Sequence, residues 1–114
     1  MDYRSLLQLF HIFIIGTLLL YVGIYRDTIP EYLYVILFYL SIYILLFHGY
    51  KIYYNLKIGR TPWINYIHVF LIFPLLFYIG YNKKNTPRYY YELLFMLGFS
   101  AIGYNGYYLF ISNE

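Results

Sequence analysis

The chain has 114 residues, of which 62% are hydrophobic and only 11% charged, so it lacks the polar surface that a water-soluble domain of this size must expose. It contains no cysteine, which excludes disulfides, thiolate metal sites and a thiol nucleophile. The net charge of +3 arises from basic residues spread over tails and loops, and no cluster of them indicates binding to nucleic acid.

Four apolar runs, each long enough to cross a bilayer, follow one another along the chain. They predict membrane spans at about 6–24, 32–50, 63–81 and 89–111. A short polar turn precedes Pro30, which suits the start of the second helix. Residues 52–62 are predicted to form the longest loop, whose amphipathic part suits the membrane interface. Pro74 predicts a kink in the third span.

An even number of spans places both termini on the same side of the membrane. The first span is too long for a signal peptide and has no small-residue cleavage site, so we expect it to be retained. Lys and Arg residues divide four to four between the two sides, and the positive-inside rule therefore gives no orientation. Cytoplasmic termini are the default expectation.

The two halves of the chain match each other without a gap at an offset of 57 residues, which is half of 114. Of the 40 positions in 11–50, 15 are identical to their partners in 68–107. The identities include His11 with His68, Gly23 with Gly80, and Pro30 with Pro87. We interpret this as a tandem duplication of a two-helix hairpin, with repeats at 1–57 and 58–114.

Because each hairpin crosses the bilayer twice, the repeats are expected to be parallel and related by a pseudo-two-fold axis along the membrane normal. Neither hairpin alone can cover its polar groups in lipid. The predicted fold is therefore all-α: an integral membrane four-helix bundle that forms a single domain.

Nitrogen-bearing side chains recur at one depth of this predicted bundle. The set comprises three repeat-equivalent pairs, namely Gln8 with Asn65, His11 with His68, and His48 with Asn105. Spacing of three residues puts each histidine of the first and third spans on one helix face with its amide neighbour. Tyr34, Ser41 and His48 recur every seven residues, as do Tyr91, Gly98 and Asn105, and these two stripes are predicted to face the bundle centre.

Two interpretations of this polar set remain open. In the first, the side chains hydrogen-bond between helices or to interfacial water and hold the hairpins in register. In the second, imidazoles bind a metal ion, ligate a haem axially through His11 and His68, or transfer protons. The metal remains unspecified, and a zinc hydrolase is disfavoured because Asp2 and Glu114, in the terminal tails, supply the only carboxylates on that side and no thiolate occurs.

Glu92 is the only acidic residue inside an apolar run. The simpler interpretation is a carboxylate in the first turn of the fourth helix, stabilised by the helix dipole and by Arg88. The functional alternative is a proton or cation acceptor at the side opposite the histidines. Gly98, Ala101, Gly103 and Gly106 are expected to permit close helix packing within the bundle or between protomers.

At His48-Gly49-Tyr50-Lys51, at residues 78–87 and at residues 102–107, the chain resembles small four-span proteins encoded by large DNA viruses of algae and amoebae. The likeness covers most of the chain. It implies a viral origin and residence in a virion or host membrane, and it brings no catalytic residues.

The sequence favours a non-enzymatic protein that organises a lipid bilayer, with a homo-oligomer formed through its small-residue and aromatic faces. The alternative is a ligand-binding or transport protein centred on His11 and His68, supported by His48 and Asn105. An enzyme is the least favoured class, because no catalytic triad, phosphate loop or dinucleotide fingerprint occurs.

Overall fold

A computed structural model describes residues 3–112, apart from the side chains of Arg4 and Ser112. The protein is all-α and 92% helical, and the described residues form four long helices with no strand. The outermost residues of the predicted repeats, 1–2 and 113–114, lie outside the described residues.

Two of the four helices are interrupted by a π-helical turn. In chain order, the first helix comprises α1 (Tyr3–Phe10), a π turn (His11–Ile15) and α2 (Gly16–Tyr25); the second is α3 (Glu31–Lys57); the third comprises α4 (Trp63–Ile67), a π turn (His68–Ile72) and α5 (Phe73–Asn82); and the fourth is α6 (Arg88–Ser112). Short 3-10 segments follow the first and third helices, at Arg26–Thr28 and Lys83–Asn85.

All four helices are long and apolar enough to cross a membrane, as the apolar runs predict. The prediction of a loop over 52–62 is wrong at its start, because α3 continues to Lys57 and only 58–62 connect it to α4. The Asn55 side chain donates to the Lys51 carbonyl within this last part of the helix. Gly59, at a φ of +82°, then provides the left-handed conformation that commonly terminates a helix.

The helices form two pairs, each of which is a compact unit. The central unit, residues 29–86, pairs α3 with the third helix. The terminal unit, residues 3–28 and 87–112, pairs the first helix with α6. The two units therefore do not coincide with the predicted repeats, since each unit takes one helix from either repeat.

Glycine allows the backbones to approach closely in both units. A Cβ atom on Gly23 would lie 2.6 Å from the Cβ and 2.8 Å from the Cα of Phe95. A Cβ atom on Gly80 would lie 2.7 Å from the backbone nitrogen and 2.9 Å from the Cα of Phe38. Gly80 and Phe95 stand 57 residues after Gly23 and Phe38, so the two contacts occupy equivalent positions.

The buried core of each unit surrounds these glycines. Leu19, Val22, Tyr91 and Leu94 are buried in the terminal unit, and Tyr34, Leu37, Leu76 and Ile79 are buried in the central unit. Both predicted stripes turn inward: Tyr34, Ser41, Tyr91 and Gly98 are buried, while His48 and Asn105 are half-buried. Of the predicted small-residue surface, Gly98 packs against Leu20, whereas Gly103 and Gly106 have no neighbour within 4 Å of a built Cβ atom.

The π turns occupy equivalent places in the first and third helices. The backbone N–H of Gly16 donates to the carbonyl of His11, and that of Phe73 donates to the carbonyl of His68, which are the wide hydrogen bonds of a π-helix. Pro74, at which the sequence predicts a kink, lies just after the second π turn. Thr17 occupies the equivalent position after the first π turn, so the irregularity does not depend on a proline.

Candidate functional site

Three of the predicted polar residues meet in the central unit. The Nδ1 atom of His48, on α3, lies 2.7 Å from the side-chain oxygen Oδ1 of Asn65, on α4. The imidazole rings of His48 and His68 stack with centroids 3.9 Å apart and planes at 10°. The cluster therefore joins the second and third helices near the 58–62 connection, with all three side chains half-buried.

The hydrogen bonds fix which ring nitrogen of each histidine carries a proton. The Nδ1 of His68 lies 2.9 Å from the Ile64 carbonyl, and that of His11 lies 2.8 Å from the Leu7 carbonyl. A carbonyl oxygen only accepts, so Nδ1–H is the donor in both rings. The Nδ1 of His48 donates in the same way to the Asn65 oxygen. In the neutral state, each ring consequently carries its lone pair on Nε2.

The equivalent residues of the terminal unit are arranged differently. The Asn105 side chain donates through Nδ2 to the Ala101 carbonyl of its own helix, at 2.7 Å. Gln8 is only 8% exposed, and among the described residues none donates a hydrogen bond to its Oε1 atom. In the central unit, the imidazole N–H of His48 is bonded to the amide oxygen of Asn65. At the equivalent positions the terminal unit has the amides of Asn105 and Gln8, and the Oε1 atom of the buried Gln8 has no partner among the described residues.

The geometry bears on the predicted metal and haem sites. The described residues contain no group of three or more His, Cys, Asp or Glu side chains that could hold a metal ion. His11 and His68, the proposed axial pair for a haem, belong to different units. The histidines that do meet, His48 and His68, stack at a separation that leaves no space for a porphyrin between the rings.

Glu92 lies in the second turn of α6, which begins at Arg88, so the predicted first-turn position is wrong. Its Oε2 atom lies 3.8 Å from Nε of Arg88, one turn earlier in α6, and both side chains are exposed. A second ion pair, at 2.7 Å, joins Lys83 Nζ to Glu31 Oε1 within the central unit. Because the Glu92 side chain is exposed, its environment does not support the proposed role as a proton acceptor.

Comparisons of the chain with protein-family models, with curated proteins and with solved structures found no significant match. The resemblance to viral four-span proteins accordingly stays a prediction.

Sequence reasoning did not identify two features of this site. The stacking of His48 on His68 joins residues at non-equivalent positions of the two repeats, and the self-comparison aligns only equivalent ones. The π turns begin at His11 and at His68, and such turns are frequent at functional sites. Their sequence signal is the shared histidine, which is too short a pattern to predict a change of helix geometry.

Proposed function

We propose that the protein is an integral membrane protein whose four helices all cross the bilayer and whose role is structural rather than enzymatic. One observation carries this proposal. Only 11–28% of the residues in each helix's most apolar stretch are buried within the chain, while large apolar side chains along all four helices are exposed. Such a surface is unfavourable in water and favourable against acyl chains.

The helix lengths fit the same proposal. The candidate spans contain 23–27 residues, which corresponds to about 35–40 Å of helix at about 1.5 Å per residue. A hydrocarbon core of about 30 Å would cover each helix and leave its ends in the headgroup region. Exposed tyrosines near the ends, including Tyr25, Tyr32, Tyr54 and Tyr81, suit that interface.

A tandem duplication is part of the proposal. Its support is that the π turns, the 3-10 segments, the close contacts of Gly23 and Gly80, and the positive φ of Arg26 and Lys83 recur at the 57-residue offset. Under this proposal the first helix pairs with the fourth as the third pairs with the second, so that helices are exchanged between the ancestral hairpins.

The absence of cysteine provides a clean test of the membrane topology. Single cysteines replace Arg60, in the connection after α3, and Asn85, in the connection before α6. We expect the protein to resist alkaline carbonate extraction. A membrane-impermeant maleimide added outside sealed vesicles should label only one of the two cysteine variants, because the two connections lie on opposite sides of the bilayer. If the protein inserts in both orientations, each cysteine variant should be labelled in only part of its molecules, and the two labelled fractions should sum to one. Full labelling of both sites, or release by carbonate, would refute the four-span proposal.

The stacked histidines favour a second candidate function, proton or small-ligand exchange at His48 and His68. In reconstituted vesicles, this candidate predicts a proton flux that His68→Asn abolishes and that His11→Asn, in the other unit, leaves in place. A flux indistinguishable from that of empty vesicles would leave the structural role as the function. Homo-oligomerisation and residence in a virion or host membrane are further parts of the proposal, and crosslinking in native membranes would test the former.

A further inference from the structure

The terminal unit contains a buried acceptor that no other described residue satisfies. Gln8 is more than nine-tenths buried, and no described residue donates to its Oε1 atom. A buried amide oxygen without a hydrogen bond is unfavourable, and such groups in native proteins are commonly paired with ordered water. Gln8 therefore points to a ligand that donates a hydrogen bond.

Two further acceptors belong to the same end of this helix pair. His11 lies one turn after Gln8 on the same face, and its Nδ1–H is used by the Leu7 carbonyl, which leaves the lone pair on Nε2. Asn105 uses its Nδ2 group to donate to the Ala101 carbonyl, and its Oδ1 atom remains an acceptor.

The register of the helices brings Asn105 level with the other two residues. Gly23 meets Phe95 and Gly16 meets Ile102, so the first helix and α6 run antiparallel. One turn beyond Gly16 toward the start of the first helix is His11, and one turn beyond Ile102 toward the end of α6 is Asn105. In the central unit, the residues equivalent to Asn105, Gln8 and His11 do make contact, as His48 with Asn65 and with His68.

In the central unit, a described side chain supplies the kind of donor that Gln8 lacks among the described residues of the terminal unit. The Nδ1–H group of His48 donates to the amide oxygen of Asn65, which is the equivalent of Gln8. Asn105 replaces that imidazole in the terminal unit, and its amide hydrogen is directed to its own helix. Among the described residues, the two units thus differ by one N–H donor at this position.

The charges of the described residues favour a neutral ligand at Gln8. The carboxylates described in the terminal unit, Asp27 and Glu92, belong to the opposite end of the helix pair. A cation buried at Gln8 would therefore have no counter-charge from these residues, which is strongly unfavourable. A water molecule carries no charge and supplies two O–H donors, enough for Gln8 and one neighbouring acceptor.

We propose that Gln8, His11 and Asn105 form a membrane-embedded binding site for a single water molecule, which donates to Gln8 Oε1 and to His11 Nε2 or Asn105 Oδ1. The proposal goes beyond the structural role, since it gives the terminal unit a bound water molecule as part of its buried polar set. In the central unit, the hydrogen bond from His48 to Asn65 satisfies the equivalent amide oxygen, so no water molecule is needed there.

Water-edited solid-state NMR in lipid bilayers tests this site directly. Gln8 is the only glutamine in the chain, so glutamine-selective labelling gives one side-chain amide signal. We expect rapid magnetisation transfer from water to the Gln8 amide in the unaltered protein. Asn105→His places an imidazole donor where the central unit has one, and it should slow this transfer severalfold. Tyr107→His, an exposed position two residues away, is the matched control and should leave the transfer unchanged.

The reciprocal variant keeps the test decisive if Asn105→His does not fold. His48→Asn gives the central unit the residue found in the terminal unit, and the Asn65 amide should then gain contact with water. A Gln8 amide without water contact in the unaltered protein would overturn the proposal, as would undiminished contact in folded Asn105→His. Saturable displacement of the Gln8 signal by ammonium chloride would show a cation site and would equally overturn it. None of these outcomes depends on the structural role proposed above.

Discussion

At the scale of single residues, two glycines determine how closely the paired helices approach. Gly23 faces the Cα and Cβ atoms of Phe95, and Gly80 faces the backbone of Phe38. The atoms that oppose an added methyl group belong largely to the backbone, so no rotamer change can make room for it. These contacts are consequently less tolerant than an ordinary core position.

We therefore predict that Gly23→Ala and Gly80→Ala each destabilise the protein by about 3 kcal/mol or more, the upper range for overpacking. Unfolding by denaturant in detergent micelles measures the effect. Gly103→Ala is the control, because nothing lies within 4 Å of its built Cβ atom, and it should cause no loss. Equal stability of Gly23→Ala and Gly103→Ala would show that the close approach does not exist.

Backbone strain is the second feature at this scale. Arg26 has φ 51° and ψ −125°, and Lys83, its repeat equivalent, has φ 52° and ψ −126°. This region is typical of glycine at the first central position of a type II′ turn and is costly for other residues.

Arg26→Gly should accordingly stabilise the protein by about 1 kcal/mol, since glycine adopts this conformation without a steric penalty. Lys84→Gly, in the same kind of turn but without a positive φ, is the control and should give no gain. Thermal unfolding in micelles distinguishes the two, and a loss of stability in Arg26→Gly would contradict the observed turn.

At the scale of elements, the π turns account for how a proline is tolerated inside the third helix. Pro74 follows the turn at His68–Ile72, and the first helix has the same turn with Thr17 in the equivalent place. Because the α-helical hydrogen-bond ladder is already interrupted there, a missing backbone N–H costs less than elsewhere in the helix.

Thr17→Pro should therefore change the free energy of unfolding by less than about 1 kcal/mol, whereas Leu18→Pro, one residue later, should cost about 3 kcal/mol or more. Helix content by circular dichroism and the denaturation midpoint in micelles provide the comparison. Similar losses in both variants would indicate that the first helix is an uninterrupted α-helix.

The sequence predicted the helices better than it predicted their partners. Apolar runs and the prolines at 30 and 87 were sufficient to place four helices, although α3 extends to Lys57 because its amphipathic end continues the helix rather than forming a loop. The sequence could not predict which helices pack as pairs. A two-fold repeat is equally consistent with packing within each hairpin and with an exchange of helices between the hairpins. The contacts of Gly23 with Phe95 and of Gly80 with Phe38 distinguish the two arrangements.

For the candidate site as well, the sequence predicted the residues but not which of them are in contact. The self-comparison selected Gln8, Asn65, His11, His68, His48 and Asn105, and the structure divides them into two equivalent sets of three. Identity of His11 and His68 led to the expectation that they face each other, which stays a prediction. The contact that the structure describes is between His48 and His68, and the self-comparison could not indicate it because it aligns equivalent positions rather than neighbours.

At the scale of the whole molecule, the account depends on two equivalent helix pairs, the first helix with the fourth and the second with the third. Disulfide crosslinking in intact membranes tests these pairs on a background free of native cysteine. The Phe38 and Phe77 rings lie 5.0 Å apart, and Leu20 and Phe95 are the equivalent positions in the terminal unit. Cysteines at 39 with 77, and at 96 with 20, are matched controls because Tyr39 and Met96 are exposed.

We predict that the 38–77 and 20–95 cysteine pairs crosslink readily within one chain under mild oxidation and that the control pairs do not. Crosslinking of the control pairs at the same rate, or of neither tested pair in protein that remains in the membrane, would contradict the account.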